Sequence, residues 1–224
     1  LTKHRVTVMR NIFKVKDDPI VDTVQDKWEL DNWLARFGTA DMLSVLLGSF
    51  FDSYYSSISS LKNHGGVIWL HIAIFNEQHG LEIIKRLIRN GAVNLEFQSE
   101  YGDTMLHHAA RYGNSKIVDL LLTCYKPIIM KVKNKKGHTF VHDAVHNKLH
   151  GLAILKSLVQ KQDAQWDFFD NIGRTILHYA IQFGTLEMVS LLLEHMSDEI
   201  KNARIKFDEE TVLHVAAKFA SLEV

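Results

Sequence analysis

The sequence predicts an all-α fold of stacked helix–turn–helix units, and three observations carry this prediction. A short motif that ends in a histidine recurs five times, and these histidines are 36, 35, 36 and 36 residues apart: His71, His107, His142, His178 and His214. An alanine follows two residues after each histidine, and a run rich in Leu, Ile and Val, such as residues 117–122, follows four of them. A period in this range is typical of a repeat array, in which each unit covers the apolar face of its neighbour.

The unit at residues 104–122 carries the local signals of two helices. Thr104 precedes an apolar-periodic run, so it is predicted to cap the first helix by accepting a backbone N–H bond. Gly113 and its counterpart Gly184 stand where the first helix must end, a position suited to positive φ. The second helix, residues 117–122, has an apolar face that is too wide for one hairpin to bury, so neighbouring units must cover it.

This motif resembles the ankyrin repeat, whose signature is T-P-L-H-x-A-A-x-x-G followed by a second helix. The matching residues are Thr104, Leu106, His107, Ala109, Ala110 and Gly113, and then Thr175, Leu177, His178, Ala180 and Gly184. The repeats are divergent, because the family's proline is absent and the period of 35–36 exceeds the usual ~33 residues. The resemblance implies an ankyrin-repeat solenoid with short finger loops, in which buried repeat histidines bridge adjacent units by hydrogen bonds.

The repeat divides the chain into seven predicted segments. Residues 1–27 form a basic N-terminal extension, and residues 28–63 form a degenerate capping repeat with a connection. Four repeats and a partial one follow: 64–98, 99–134, 135–169, 170–206 and 207–224. The units at 64–98 and 135–169 share a longer connection between their helices, so we infer duplication of a two-repeat block. Because the chain starts with Leu1 and its last unit is short, we expect it to be a piece of a longer protein.

Composition excludes several classes of function. Lys+Arg and Asp+Glu both number 26, so no global charge favours nucleic-acid binding. The single cysteine, Cys124, cannot form an internal disulfide and fits a reducing compartment, so a cytoplasmic location is predicted. No run of 18 or more apolar residues exists, and we therefore predict no membrane segment within these residues.

The sequence indicates no active site, metal or cofactor. His138, His142, Asp143, His146 and His150 lie close in sequence, and His142 and His146 have the i, i+4 spacing of helix-borne ligands. However, His142 is the repeat histidine, and neither an H-E-x-x-H arrangement nor a cysteine pair accompanies it. Cys124 lacks a nucleophile signature, and no glycine-rich phosphate-binding motif occurs.

The function implied by the resemblance is binding of a partner protein on the concave surface formed by fingers and first helices. By matching motif positions, the predicted contact residues are Glu100, Tyr101, Asp103, His108, Arg111, Tyr112, Lys135, Lys136, His138, Asp143, His146, Asn147, Asn171, Ile172, Arg174, Tyr179, Gln182 and Phe183. The lysines between 131 and 136 are either a solvated turn or a contact for an acidic partner.

Two alternative functions share this architecture. The repeats could recruit substrate for a larger enzyme, for example a pathogen effector, whose catalytic domain lies outside these residues. They could also form the cytosolic repeat array of an ion channel. In either case we predict that residues 1–224 are not themselves an enzyme, since the repeats offer a surface and no catalytic constellation.

Overall fold

The structure, a computed structural model, describes residue 38 and residues 73–89, 95–124, 129–161, 166–206 and 209–219. The chain separates into two compact units, residues 1–94 and 95–224. In the first unit, helix α1 (Gly80–Arg89) buries Gly80, Ile83, Ile84 and Leu87. This i, i+3, i+4, i+7 spacing is that of an amphipathic helix with one buried stripe. The predicted extension at 1–27, His71 and all of the capping segment 28–63 except Gly38 lie outside the described residues.

The regular secondary structure in the described part of the second unit is helical. Its helices are α2 (Met105–Tyr112), α3 (Ser115–Cys124), α4 (Phe140–Val145), α5 (Gly151–Gln160), α6 (Ile176–Phe183), α7 (Leu186–His195), α8 (Asp198–Lys201) and α9 (Val212–Phe219), with a 3-10 turn at Ile129–Lys131. Strand-like pairing within these residues is limited to isolated antiparallel bridges, such as Gln98–Thr104 and Phe169–Thr175, which close the finger loops. The predicted all-α fold is confirmed.

The helices of the second unit form two stacked layers. The first helices of successive repeats, α2, α4, α6 and α9, pack on one another in order, and the second helices α3, α5 and α7 do the same. Ala109, Ala144 and Ala180 are fully buried between them, because a small side chain allows close helix approach. Leu121 and Leu155, in the second helices, are fully buried. This arrangement is the predicted solenoid.

The glycines that end the first helices do not need a positive φ, so the sequence-based expectation is wrong. Gly113 has φ −93° and Gly184 has φ −85°. At Gly184 the requirement is space, because an added Cβ would lie 2.6 Å from the Ala180 carbonyl oxygen, which already accepts the Gly184 N–H. Positive φ occurs instead in the fingers, at Gly102 (80°), Gly137 (83°) and Gly173 (90°).

The two longer connections have the same structure. The Asn147 amide donates to the carbonyl oxygens of Ala110 (3.0 Å) and Gly113 (2.8 Å) in the preceding repeat. The Asn76 amide donates in the same way to the carbonyl of Gly38 at 2.8 Å. In both connections the asparagine side-chain oxygen accepts the backbone N–H three residues later. Asn147 therefore ties its connection to the end of α2, and Asn76 ties its own connection to Gly38.

Candidate partner-binding surface

The repeat histidines lie beneath the predicted partner-binding surface, at the start of each first helix. Nδ1 of His107 accepts the backbone N–H of Thr104 at 3.2 Å and lies 2.8 Å from the Thr104 hydroxyl. Because Nδ1 is an acceptor, the ring proton of neutral His107 is on Nε2, which donates to the carbonyl of His138 in the next repeat at 3.0 Å. The Thr104 hydroxyl also accepts the His107 N–H at 3.5 Å, which confirms the predicted cap.

The same threonine–histidine pair recurs in the following repeats. The hydroxyl–Nδ1 distances are 3.0 Å at His142, 2.9 Å at His178 and 2.8 Å at His214. His107, His142 and His178 are buried, as predicted for structural histidines. Burial lowers the pKa of His142 to about 3 and also lowers the pKa of His178. Both rings are therefore neutral at physiological pH, because burial penalises the charged form.

The fingers are built by a turn that the repeat motif does not include. Ser99, Asn134 and Asp170 open successive fingers, and each side-chain oxygen accepts the backbone N–H groups two and four residues later, at 2.8–3.2 Å. A glycine with positive φ stands three residues after each of them. These turns could have been predicted from the sequence, because Ser, Asn or Asp is followed by Gly three residues later and this pair recurs at the repeat spacing.

Backbone bonds join each finger to the next. The Lys135 N–H donates to the Tyr101 carbonyl at 2.9 Å, and the Asn171 N–H donates to the Lys136 carbonyl at 3.2 Å. The Lys206 N–H continues this ladder to the Ile172 carbonyl at 2.8 Å. The fingers therefore form one connected row, and their side chains project from a fixed backbone.

The predicted contact residues divide into three groups by exposure. The exposed ones are Glu100, Tyr101, Tyr112, Lys135, Lys136, Asn171 and Phe183. The partly exposed ones are Asp103, His108, Arg111, His146, Ile172, Arg174 and Gln182. The buried ones are His138, Asp143, Asn147 and Tyr179. We refer to the fourteen exposed and partly exposed residues as the finger face.

For the four buried residues, the expectation of a surface position is wrong. Asn147 is engaged with the preceding repeat. The Tyr179 hydroxyl donates to the Asp170 carboxylate at 2.8 Å and accepts from Nε2 of His138 at 2.8 Å. Asp143 lies beneath Arg111. Each of these polar side chains has partners from a neighbouring repeat, so all four support the finger face from below.

Two arginines on the finger face are held by buried carboxylates and aromatic rings. Arg111 Nη1 lies 2.9 Å from Asp143 Oδ1, and its guanidinium is 6.0 Å from the ring centroid of Tyr112. Arg174 Nε lies 3.8 Å from Asp170 Oδ2, and its guanidinium is 5.5 Å from the ring centroid of Tyr179. About a third of each arginine side chain is exposed, at 37% and 32%. Their positions are thus set in advance, while donor groups remain accessible.

The charge of Asp143 is maintained despite its burial. Burial alone would raise its pKa, but the His138 ring, 3.9 Å away, and the Arg111 guanidinium, 2.9 Å away, hold that pKa below its usual range. The carboxylate therefore stays ionised at neutral pH. It provides a fixed negative charge that orients the Arg111 guanidinium.

An aromatic stack lies next to these arginines. The ring centroids of His138 and His142 are 5.5 Å apart with near-parallel planes, and those of His138 and His146 are 6.5 Å apart. His146 contacts the ring of Phe183 at 4.9 Å. Because the rings stack, they do not converge on one point as metal ligands would.

One other group, Asp103, His107 and Asp143, has ligand atoms within 4.8 Å of one another, and it is the sole such group among the described residues. Its atoms are already committed. Asp103 accepts from the Asn134 amide at 2.7 Å, His107 bonds Thr104 and His138, and Asp143 bonds Arg111. A cationic guanidinium at 2.9 Å from one carboxylate opposes a metal ion in the same place. These residues do not fit a metal site.

Comparison with known proteins identifies the family. The family model described as "Ankyrin repeats (3 copies)" matches residues 32–130, 70–167 and 141–224, which together extend from residue 32 to 224. The chain belongs to the ankyrin-repeat family. Repeats of this family generally mediate protein–protein interactions and are non-catalytic.

Curated relatives include proteins of several kinds. The nuclear factor NF-kappa-B p105 subunit of Gallus gallus is 29% identical over 179 residues, which are 79% of this chain and 17% of that protein. The probable 26S proteasome regulatory subunit p28 of Saccharomyces cerevisiae is 32% identical over 108 residues, 48% of this chain and 45% of the relative. A putative ankyrin repeat protein of Rickettsia bellii is 32% identical over 117 residues, 52% of this chain and 62% of the relative. The chain spans less than two thirds of the length of these relatives.

Across the described residues, every helix is too short or too polar to extend through a lipid bilayer.

Proposed function

We propose that this chain binds a partner protein through the finger face. The observation that carries the proposal is the exposure of three aromatic side chains there: Tyr101 (66%), Tyr112 (48%) and Phe183 (44%). Large aromatic and arginine side chains are the residue types that contribute most binding energy at protein interfaces. Arg111 and Arg174 lie on the same face, so anchors of both kinds are present.

The support beneath the finger face favours binding without rearrangement. The finger backbones are linked by hydrogen bonds, and the two arginines are positioned by Asp143 and Asp170. Side chains that are ordered before binding lose less conformational entropy when a complex forms. The names of two relatives describe them as subunits, which supports a role within an assembly. We also propose a cytoplasmic location, supported by the use of a single, unpaired cysteine.

Selection from a random peptide library displayed on yeast tests the proposed function. We expect the chain to select peptides whose binding weakens by roughly tenfold or more in Tyr101→Ser, Tyr112→Ser and Phe183→Ser variants. The matched controls are Leu149→Ser and Leu193→Ser, which remove exposed apolar side chains outside the finger face. If the control substitutions reduce binding as strongly as the aromatic ones, or if selection yields no binder, the proposal is wrong.

A further inference from the structure

We propose that the finger face recognises an acidic segment of its partner protein, with Lys135, Lys136 and Arg174 as its central cationic contacts. This inference rests on the proposed function, because it names the chemistry of the partner for that same surface. It starts from the uneven distribution of charge over a chain that is neutral as a whole.

Positive charge is concentrated on the central fingers. Residues 129–138 contain four lysines, at 131, 133, 135 and 136, and no acidic residue. All four lysines are exposed. The next finger, which buried Asp170 opens, carries Arg174 and no exposed acidic residue, and Lys206 lies on the finger after it. Of the carboxylates beneath these fingers, Asp143 pairs with Arg111 and Asp170 lies beside Arg174, so neither is paired with a lysine of the central finger.

The central cations are available to a ligand. Within the described residues, no carboxylate pairs with Lys131, Lys135 or Lys136, whereas the amine of Lys161 is 2.6 Å from Asp119 and that of Lys201 is 3.3 Å from Asp198. Some lysines on other surfaces of the chain thus have an acidic partner within the chain. The lysines of the central finger have no such partner in this part of the chain, and an external carboxylate would supply it.

The backbone holds these cations in a row. The Lys135 N–H and the Lys136 carbonyl bond the preceding and the following finger, respectively. Gly137 fixes the turn after them, because its φ of +83° favours glycine and an added Cβ would overlap the Asn171 nitrogen. Two further lysines are held along the row: Lys133 Nζ bonds the Phe169 carbonyl at 2.7 Å and Lys206 Nζ bonds the Asn171 carbonyl at 3.2 Å. An extended segment that crosses the three fingers from Lys135 to Lys206 would meet at least one cation on each of them.

The extent of the patch favours an acidic protein segment over a nucleic acid. Exposed Glu100 precedes the central finger and exposed Glu209 follows Lys206, so acidic groups limit the positive patch at both ends. Binding to a nucleic acid depends on many phosphate contacts along a continuous basic surface. A short run of Asp and Glu matches the few cations present and leaves exposed Tyr101, Tyr112 and Phe183 to contact apolar side chains of the same partner.

The test uses the same peptide library and the same full chain. We expect the selected peptides to contain more Asp and Glu than the unselected library. A fluorescein-labelled selected peptide should lose roughly tenfold in affinity when its Glu residues are changed to Gln, and also when salt is raised from about 50 mM to about 300 mM. The Lys135→Glu/Lys136→Glu variant should show an equal or larger loss, and Lys135→Gln/Lys136→Gln a smaller one.

The matched control is Lys148→Glu/Lys156→Glu, which reverses two exposed lysines elsewhere and should leave affinity unchanged within about twofold. Circular dichroism confirms that each variant keeps its helices. If selected peptides depend on Tyr101, Tyr112 and Phe183 but carry no excess of acid, the proposed function holds and this inference fails. If labelled single-stranded DNA binds as tightly as the acidic peptide and is lost in the same lysine variant, the assignment to an acidic protein segment is overturned.

Discussion

Single residues of identical type have different roles here because their surroundings differ. The Thr104–His107 and Thr211–His214 pairs have the same hydroxyl–Nδ1 distance, 2.8 Å. Yet His107 is buried and bonded to the next repeat, whereas His214 is exposed. The local sequence thus sets the ring orientation, and the stacking of the neighbouring repeat sets its contribution to stability.

Replacing His107 with alanine should destabilise the fold by about 1–3 kcal/mol, because it leaves the buried His138 carbonyl and the Thr104 groups without their partner. The free energy of unfolding, measured by urea titration, checks this value. His214→Ala is the matched control, since it removes the same local contact from an exposed site and should cost within about 0.5 kcal/mol. Equal losses in the two variants would contradict the bridging role of His107.

Protonation of His142 should make stability depend on pH. Burial lowers its pKa from 6.5 to about 3, so between these values the unfolded chain binds a proton that the folded chain excludes. The free energy of unfolding should therefore be highest above pH 6.5 and should fall as pH decreases towards 3. His142→Gln should reduce the slope of this fall by up to about 1.4 kcal/mol per pH unit, measured by urea unfolding between about pH 7 and about pH 4.5.

The slope is the readout, because a buried glutamine lowers stability at every pH. His146 and His178 also have lowered pKa values and keep part of the pH dependence in the variant. An unchanged slope in His142→Gln would show that His142 becomes protonated in the folded state. His195→Gln, at an exposed site, serves as the control.

The sequence predicted these histidines better than it predicted the residues around them. A histidine and a threonine three residues apart form a local contact, so a recurring motif is enough to identify it. The expected positive φ at Gly113 and Gly184 was wrong because the motif shows that a small residue is needed and cannot show whether the cause is φ or space. The prediction of surface positions for Asp143 and Tyr179 is wrong because each has a partner in another repeat, Arg111 and His138 respectively, which no local pattern reveals.

At the scale of helices and connections, asparagine bonds join one element to another. Asn147 lies in the connection between α4 and α5 but caps carbonyl oxygens at the end of α2, 34 and 37 residues earlier. No local pattern reveals a contact over that separation. The resemblance of this connection to residues 76–81 was readable from the sequence, and the shared asparagine bond explains it.

Asn147→Ala should lower the free energy of unfolding by about 1–3 kcal/mol, since it leaves the buried carbonyls of Ala110 and Gly113 without side-chain donors. Thermal unfolding followed by circular dichroism measures the loss. Lys148→Ala, at the adjacent exposed position, should change stability little. A stability equal to that of the unsubstituted protein would mean that water replaces the amide and that this bond does not hold the repeats together.

At the scale of the second compact unit, the period of the sequence was enough to predict stacking. A repeat every 35 or 36 residues can bury its apolar faces only against copies of itself, so the solenoid follows from spacing and alanine position. The identity of the contact surface does not follow in the same way. It depends on which polar side chains have partners in neighbouring repeats. His138 and Tyr179 bond each other across two repeats, whereas the Lys135 amine has no such partner within the described residues.

Hydrogen exchange should differ along this unit. All six residues of α4 are buried, whereas α9 buries only Val212 and Val215 and leaves Leu213 79% exposed. We therefore expect amides of α9 to exchange faster than those of α2, α4 and α6, because exchange follows local burial. Mass spectrometry of peptic fragments checks the order. Equal protection of α9 would mean that another surface covers it, and dilution would then show whether that surface belongs to a second copy.

The finger ladder has a consequence for how such a chain diversifies. Its inter-finger bonds join main-chain atoms, and each turn is set by a side chain at its first position and a glycine at its fourth. The two residues between them contribute no side chain to the turn itself: Glu100 and Tyr101, Lys135 and Lys136, Asn171 and Ile172. Of these, the Asn171 amide donates to the Lys135 carbonyl of the preceding finger at 2.8 Å. Each finger thus has two positions at which a substitution leaves the bonds of the turn in place. Specificity can be rewritten at these sites by single substitutions, while selection for stability acts elsewhere in the repeat.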